Sequence, residues 1–226
     1  MLGTVLGLVA LVLLSARLVY VFRNKKRRKA EAAEFLFADV AGSVEDPAFE
    51  QRGADEFPRL SGTYKGFPVQ IYPLVDTLGV RRLPALWLMV TLQDSLPVKA
   101  HFDLMMRPAG ATTFSNFDHL PHTVKLHEGF PEHAIVRTDS IADVLPASLI
   151  KPHLEPFFGP RAKELLITQN GLRMVWLLAE ADRARYGVLR QAEFGQVQID
   201  GLFVRDILDR LMAIRKDIID WTTKTS

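Results

Sequence analysis

ALWLMVTL, residues 85–92, is apolar at nearly every position. A short run of this kind is typical of a central β-strand that is covered on both faces. The next stretch, residues 98–107 (VKAHFDLMMR), alternates instead between apolar and polar side chains. It predicts a half-buried strand whose polar side, with His101 and Asp103, faces solvent.

Turn residues on either side of these strands predict hairpins. Residues 60–71 alternate around Lys65-Gly66, and residues 163–168 and 172–179 flank Gln169-Asn170-Gly171. An Asn-Gly pair favours a two-residue type I′ turn because both positions accept a positive φ. Residues 123–126 and 134–138 are further candidate strands.

Helical patterns come late in the chain. Residues 141–158 contain Pro146, Pro152 and Pro156, which limit them to short helical pieces. Residues 200–221 carry one apolar stripe and predict an amphipathic helix with Asp200 as its N-cap. Strands joined by short turns, followed by helices, predict an α+β domain: a mainly antiparallel sheet with helices on one face.

The N-terminal stretch 2–22, LGTVLGLVALVLLSARLVYVF, has one charge, Arg17. As a helix it would reach roughly 31 Å, enough to cross a hydrocarbon core. Its Leu, Val and Phe residues favour insertion by about 4–8 kcal/mol, against a cost of up to about 3 kcal/mol for Arg17. A cleaved signal peptide fits less well because the positive charge follows the apolar run and no Ala-x-Ala site is present. The sequence therefore predicts one N-terminal transmembrane helix.

A basic block follows this stretch and predicts its orientation. Its residues are Arg23, Lys25, Lys26, Arg27, Arg28 and Lys29. By the positive-inside rule the N-terminus lies outside and everything after residue 23 lies in the cytoplasm. The same bases could also bind anionic lipid.

Gly3 and Gly7 form a small-xxx-small pair within the apolar stretch. Such a pair lets two transmembrane helices pack closely, although glycine is also common in these helices without that role. Helix packing through Gly3 and Gly7 is one hypothesis that the sequence offers.

Composition divides the chain into three parts: an anchor at 1–23, a basic juxtamembrane helix and acidic linker at 24–56, and a domain at 57–226.

After residue 30 the chain has five more acidic than basic residues, which argues against a nucleic-acid partner. The chain has no cysteine, which excludes disulfides, thiolate metal sites and a cysteine nucleophile.

Histidines are concentrated in one region of the domain. His119, His122, His127 and His133 lie within fifteen positions, close to several carboxylates. They could hold a divalent cation, but Pro121 breaks any helical pair and exposed loop histidines are the simpler interpretation. His101 and Asp103 could orient a general base, but no nucleophile accompanies them. The sequence therefore predicts no metal site and no catalytic residue.

Arginines and a tyrosine are interleaved in residues 180–194. Arg183, Arg185 and Arg190 surround Tyr186 and could bind an anionic partner, although nearby acids could pair with them instead. No phosphate-binding glycine motif is present, and no cofactor is predicted.

The chain resembles a family of uncharacterised bacterial inner-membrane proteins with an N-terminal anchor and a cytoplasmic domain. The resemblance rests on Phe57-x-Arg59-Leu60-x-Gly62-x-Tyr64-x-Gly66-x-Pro68-Val69 and on the LLITQNGL segment at 165–172. It implies the inner membrane of a bacterium and assigns no catalytic residue. Such families commonly have two anchor helices, whereas this sequence predicts one.

These observations predict a single-pass, membrane-anchored protein with a non-catalytic cytoplasmic interaction domain. Its partners would be the lipid bilayer and other membrane proteins, and it would serve as an accessory or assembly subunit of a membrane complex. The alternative is a membrane-tethered enzyme or ligand-binding domain that uses the histidine-rich region 101–133.

Overall fold

A computed structural model describes residues 35–50, 56–76, 83–108, 110–183, 186, 192, 194–195 and 197–225. Residues Phe37–Ser226 form one compact unit. Within the described residues the unit is built on one nine-stranded sheet in which every pair of neighbours is antiparallel.

The strands are β1 (Glu45–Glu50), β2 (Arg59–Tyr64), β3 (Phe67–Asp76), β4 (Ala85–Gln93), β5 (Phe102–Met106), β6 (His122–Val124), β7 (Ala134–Thr138), β8 (Ala162–Thr168) and β9 (Gly171–Glu180). The helices are α1 (Ala38–Ala41), α2 (Ala147–Ile150) and α3 (Gly201–Thr225), with 3₁₀ turns at Phe117–His119, Lys151–His153 and Glu155–Phe158.

The order across the sheet is β1-β2-β3-β4-β9-β8-β5-β7-β6. The hairpin β8–β9 therefore lies between β4 and β5, although it follows both in the chain. Within the described sheet, β1–β4 are joined to β5–β7 through the strands of this hairpin.

One face of the sheet is a continuous apolar surface beneath α3. Strand pairing aligns one residue from each strand in a row across it: Phe49, Leu60, Ile71, Val90, Met174, Leu165, Leu104, Val136 and Val124. The Trp176 ring, on the same face, packs 5.0 Å from the Phe203 ring of α3. The buried side of α3 includes Val204, Ile207 and Leu208. This side is the stripe that the sequence predicts.

The fold-class prediction is wrong in its helical part. The described residues form mainly a nine-stranded antiparallel sheet with a long C-terminal helix, α3, and α1 and α2 have four residues each. Three prolines keep 141–158 in short turns, so no helical layer forms there. Among the described residues, no helix has both the length and the apolar character needed to cross a bilayer. The predicted anchor, 1–23, lies outside the described residues.

Several local predictions are confirmed. The β2–β3 and β8–β9 hairpins form, and Asp200 Oδ1 accepts hydrogen bonds from the backbone N–H groups of Leu202 and Phe203 at 2.8 and 3.2 Å. The second hairpin turns at Gln169-Asn170, one residue earlier than predicted, and Asn170 has no positive φ. Gly171 instead begins β9 with φ +133°, and a Cβ there would lie 2.1 Å from the Leu92 carbonyl oxygen.

Candidate functional site

The face of the sheet opposite α3 carries a second core and a group of buried charges. Its central row runs Tyr72, Met89, Val175, Glu164 and Met105 across five strands. We call this surface the loop face because the loop that follows β5 covers part of it.

Two phenylalanines from that loop cover the apolar part of the loop face. Phe114 and Phe117 pack against Met89, Met105 and Val175. The rings of Phe114 and Trp87 lie 5.5 Å apart. The loop is thus held on the sheet by aromatic contacts.

Asp103 and Glu164 are buried beneath the same loop. Their exposed fractions are 2% and 0%. Arg173, from the neighbouring strand β9, donates two hydrogen bonds to Glu164 Oε2, at 2.8 and 3.1 Å. The Ser115 hydroxyl donates to Asp103 Oδ2 at 3.4 Å, and the Phe117 amide in turn donates to the Ser115 oxygen at 3.1 Å. We call Asp103, Glu164, Arg173 and Ser115 the buried acid cluster.

The cluster holds more carboxylate than its arginine can neutralise. Asp103 Oδ1 and Glu164 Oε1 are buried and have no hydrogen-bond partner in the described part of the chain. An unsatisfied buried carboxylate is costly, so a proton is the simplest way to relieve it.

The pKa values of Asp103 and Glu164 are both raised, which favours the protonated form of each acid. Burial raises the pKa of Asp103 from 3.8 to about 8, and the charge of Glu164 adds to the rise, whereas Arg173 and Ser115 lower it. Burial also raises the pKa of Glu164, against the opposing effects of Arg173 and Ser115. We infer that Glu164 is the ionised partner of Arg173 and that Asp103 holds the proton at neutral pH.

A groove of about 430 Å³ opens at the β1–β3 end of the loop face. Phe57, Tyr72, Leu74 and Phe114 give it apolar walls, and Glu50, Glu56 and Arg59 add charge. The Arg59 guanidinium lies 3.9 Å from the centroid of the Tyr72 ring and donates to Gln70 Oε1 at 3.1 Å. A few fixed polar groups among aromatic side chains are typical of binding sites.

The loop joins the groove to the buried acid cluster. Phe114 lines the groove, while the next residue, Ser115, binds Asp103. The wall of the groove and the hydrogen bond at Asp103 are therefore formed by adjacent residues of one loop.

Most of the site residues predicted from the sequence lie outside the described residues. These are Gly3, Gly7, Arg23, Lys25, Lys26, Arg27, Arg28, Lys29, Arg185 and Arg190. Arg183 is described and exposed. The packing, lipid and anionic-partner hypotheses attached to these residues stay predictions.

The structure does not gather the histidines into one site. His101 is paired with Asp139, at 3.1 Å between Nδ1 and Oδ2, and His119, His122, His127 and His133 are exposed. Within the described ranges, no three His, Asp or Glu side chains are placed together as metal ligands.

Sequence reasoning missed the buried acid cluster. It places Asp103 in solvent, whereas the loop with Phe114 and Phe117 buries it. The hairpin register pairs Leu166 with Arg173, and Glu164 lies two residues before Leu166. Side chains two residues apart on a strand share a face, so the register could have revealed the Glu164–Arg173 contact.

No protein-family model matches the chain, and no curated protein matches it. Among solved structures, the chain has a weak structural similarity to the mycobacterial trehalose monomycolate transport factor A, TtfA. The match has 13% identity, a TM-score of 0.37, and covers 85% of this chain and 96% of that chain. A TM-score this low carries no argument about fold or function.

Proposed function

We propose that this chain is a non-catalytic accessory protein of the bacterial inner membrane whose sheet domain binds another protein on the cytoplasmic side. The observation that carries the proposal is the groove at the β1–β3 end of the loop face. It would hold side chains of a partner subunit of a membrane complex.

The composition of the groove favours a protein segment as its occupant. Aromatic residues and arginine are enriched at the centres of protein–protein interfaces. Arg59 is already oriented by Tyr72 and Gln70, so binding would cost little side-chain entropy there. The volume of about 430 Å³ is at the lower end of the range of roughly 300–1,000 Å³ seen for ligand pockets.

The membrane location in this proposal rests on the amino-acid pattern of residues 1–29. An apolar stretch at 2–22 comes before six bases within seven positions. That pattern favours a bilayer location with the domain on the cytoplasmic side.

Site-specific photocrosslinking in membranes of cells that express the full chain would test the groove. A photoreactive amino acid replaces Thr113, which is exposed and lines the groove. The control is Gln169, an exposed turn residue at the opposite end of the strands. We expect a discrete crosslinked protein from position 113 and none from position 169.

Phe57→Ala should weaken that crosslink, because the substitution removes one aromatic wall of the groove. Crosslinks of equal strength from positions 113 and 169, or a crosslink unaffected by Phe57→Ala, would refute binding at the groove. The membrane location is tested separately by fractionation and by a C-terminal reporter. A reporter active only outside the cytoplasm would overturn it.

A further inference from the structure

A second surface combines an exposed aromatic side chain with several bases. Phe158 ends the 3₁₀ turn Glu155–Phe158 and is 65% exposed, although the preceding Phe157 is buried. Gly159 and Pro160 then lead into β8. The turn therefore presents a large apolar ring to the outside of the domain.

Arg107 is hydrogen-bonded to a residue that follows this turn, and Arg161 and Lys163 come after the turn in the chain. Arg107 Nη2 donates to the Pro160 carbonyl at 3.1 Å, and Lys163 Nζ donates to the Arg107 carbonyl at 2.9 Å. Arg161 donates to the carbonyls of Leu177 and Leu178 at 3.0 and 3.1 Å. We call Phe158, Arg107, Arg161 and Lys163 the Phe158 corner.

The guanidinium groups of the corner bind main-chain oxygens. In the part of the chain that the structure describes, neither Arg107 nor Arg161 forms an ion pair. The acid of the same turn, Glu155, instead pairs with Arg210 of α3 at 2.9 Å. The guanidinium groups of Arg107 and Arg161 thus give the corner a positive charge.

Arg107 is also held in a conformation that a non-glycine residue seldom adopts. Its φ is +45°, directly after β5. Strained backbone of this kind persists only where the surrounding contacts fix it, and it is concentrated at functional sites. Here the hydrogen bonds from Arg107 to the Pro160 carbonyl and from Lys163 to the Arg107 carbonyl hold this conformation.

We propose that the Phe158 corner docks on an anionic bilayer surface, an inference that rests on the membrane location proposed above. Phe158 inserts at the boundary between headgroups and acyl chains, and Arg107 and Arg161 bind lipid phosphates. An apolar side chain with bases around it is the composition of interfacial membrane contacts, and arginine forks match phosphate oxygens.

The full chain allows a direct test because it has no cysteine. The variant Phe158→Cys is labelled at its new cysteine with an environment-sensitive fluorophore. The labelled chain is then reconstituted into vesicles that contain a lipid with a fluorescence quencher at the level of the headgroups. One set of vesicles is rich in phosphatidylglycerol, and the other contains only phosphatidylcholine. The control label is at Gln169→Cys, which is exposed at the far end of β8, about 20 Å away.

We expect the label at 158 to be quenched and blue-shifted in phosphatidylglycerol but not in phosphatidylcholine, and the label at 169 to be unaffected in both. Arg107→Gln combined with Arg161→Gln should lower the docking equilibrium roughly 30-fold, because each base contributes independently to anionic-lipid binding. Arg107→Lys combined with Arg161→Lys keeps the charge and should retain most of the quenching.

The outcomes separate this inference from the proposed function. The chain could float with the vesicles while the label at 158 is either unquenched or quenched equally in both lipids. Either result overturns membrane docking by the Phe158 corner and leaves the membrane location standing. Chain that floats with neither vesicle overturns both the corner and the membrane location.

Discussion

Asp103→Asn should remove most of the pH dependence of stability that the loop face imposes. An acid whose pKa is raised on folding binds more protons in the folded than in the unfolded state. Stability then falls as pH rises between the two pKa values. For Asp103 the window runs from 3.8 to about 8. The destabilisation is absent below this window and complete above it.

The magnitude follows from the width of the window. One proton per molecule corresponds to about 1.4 kcal/mol of unfolding free energy per pH unit. From pH 5 to pH 8 the wild-type chain should therefore lose up to about 4 kcal/mol through Asp103. The charge interaction between Asp103 and Glu164 and local relaxation reduce this loss, so we expect about 2–4 kcal/mol over this pH range.

The asparagine variant keeps the shape of the side chain but cannot ionise. We expect it to be within about 1 kcal/mol of the wild type at pH 5 and to be the more stable protein at pH 8. Glu164 keeps its pairing with Arg173 in the variant, at 2.8 Å, and loses a repulsive neighbour.

Urea unfolding measures the free energy of unfolding of the wild type and of the variant at half-unit pH steps. The full chain is kept in mild detergent, and tryptophan fluorescence follows its unfolding. Amide exchange of Phe117 provides a local readout, because its N–H is bound to Ser115. Parallel plots of unfolding free energy against pH for the two proteins would refute the inference that Asp103 is protonated at neutral pH. So would a wild-type curve that rises from pH 5 to pH 8 relative to the variant.

Three further changes test the fold. Gly171→Ala should cost about 2 kcal/mol or more, because its φ is +133° and a Cβ would lie 2.1 Å from a backbone oxygen of β4. Gly42→Ala is the control, with no atom within 4 Å of a Cβ there, and thermal unfolding compares the two. Asp200→Ala should cost about 1 kcal/mol in urea unfolding because it removes the N-cap of α3. Leu208→Ala should cost about 2–5 kcal/mol through a core cavity, whereas Leu202→Ala, at a residue 75% exposed, should stay within about 0.5 kcal/mol. Equal losses at these two leucines would contradict the assigned face of α3.

Patterns within short stretches of the sequence correctly predicted several strands and the C-terminal helix. The unbroken apolar run at 85–92 became β4, and the alternation around Lys65-Gly66 became the β2–β3 hairpin. The apolar stripe after Asp200 became α3. Each of these signals depends on residues close together in the chain.

Features that depend on distant residues were not predicted. β1 was missed because all six of its residues are exposed, so it lacks an alternating pattern, and it contains Pro47. Its position in the sheet comes from pairing with β2. The burial of Asp103 depends on a loop that begins after β5, and no property of strand 98–107 alone contains that information.

The position of the β8–β9 hairpin has a consequence for biosynthesis. On the ribosome, β4 and β5 emerge long before residues 162–180, so the open edges of both strands stay without their neighbours while the intervening chain is made. Closure of the sheet therefore depends on contacts between residues far apart in the chain, which slows folding. Until then the nascent domain exposes two aggregation-prone edges, and a chaperone that shields them would raise the yield of folded protein.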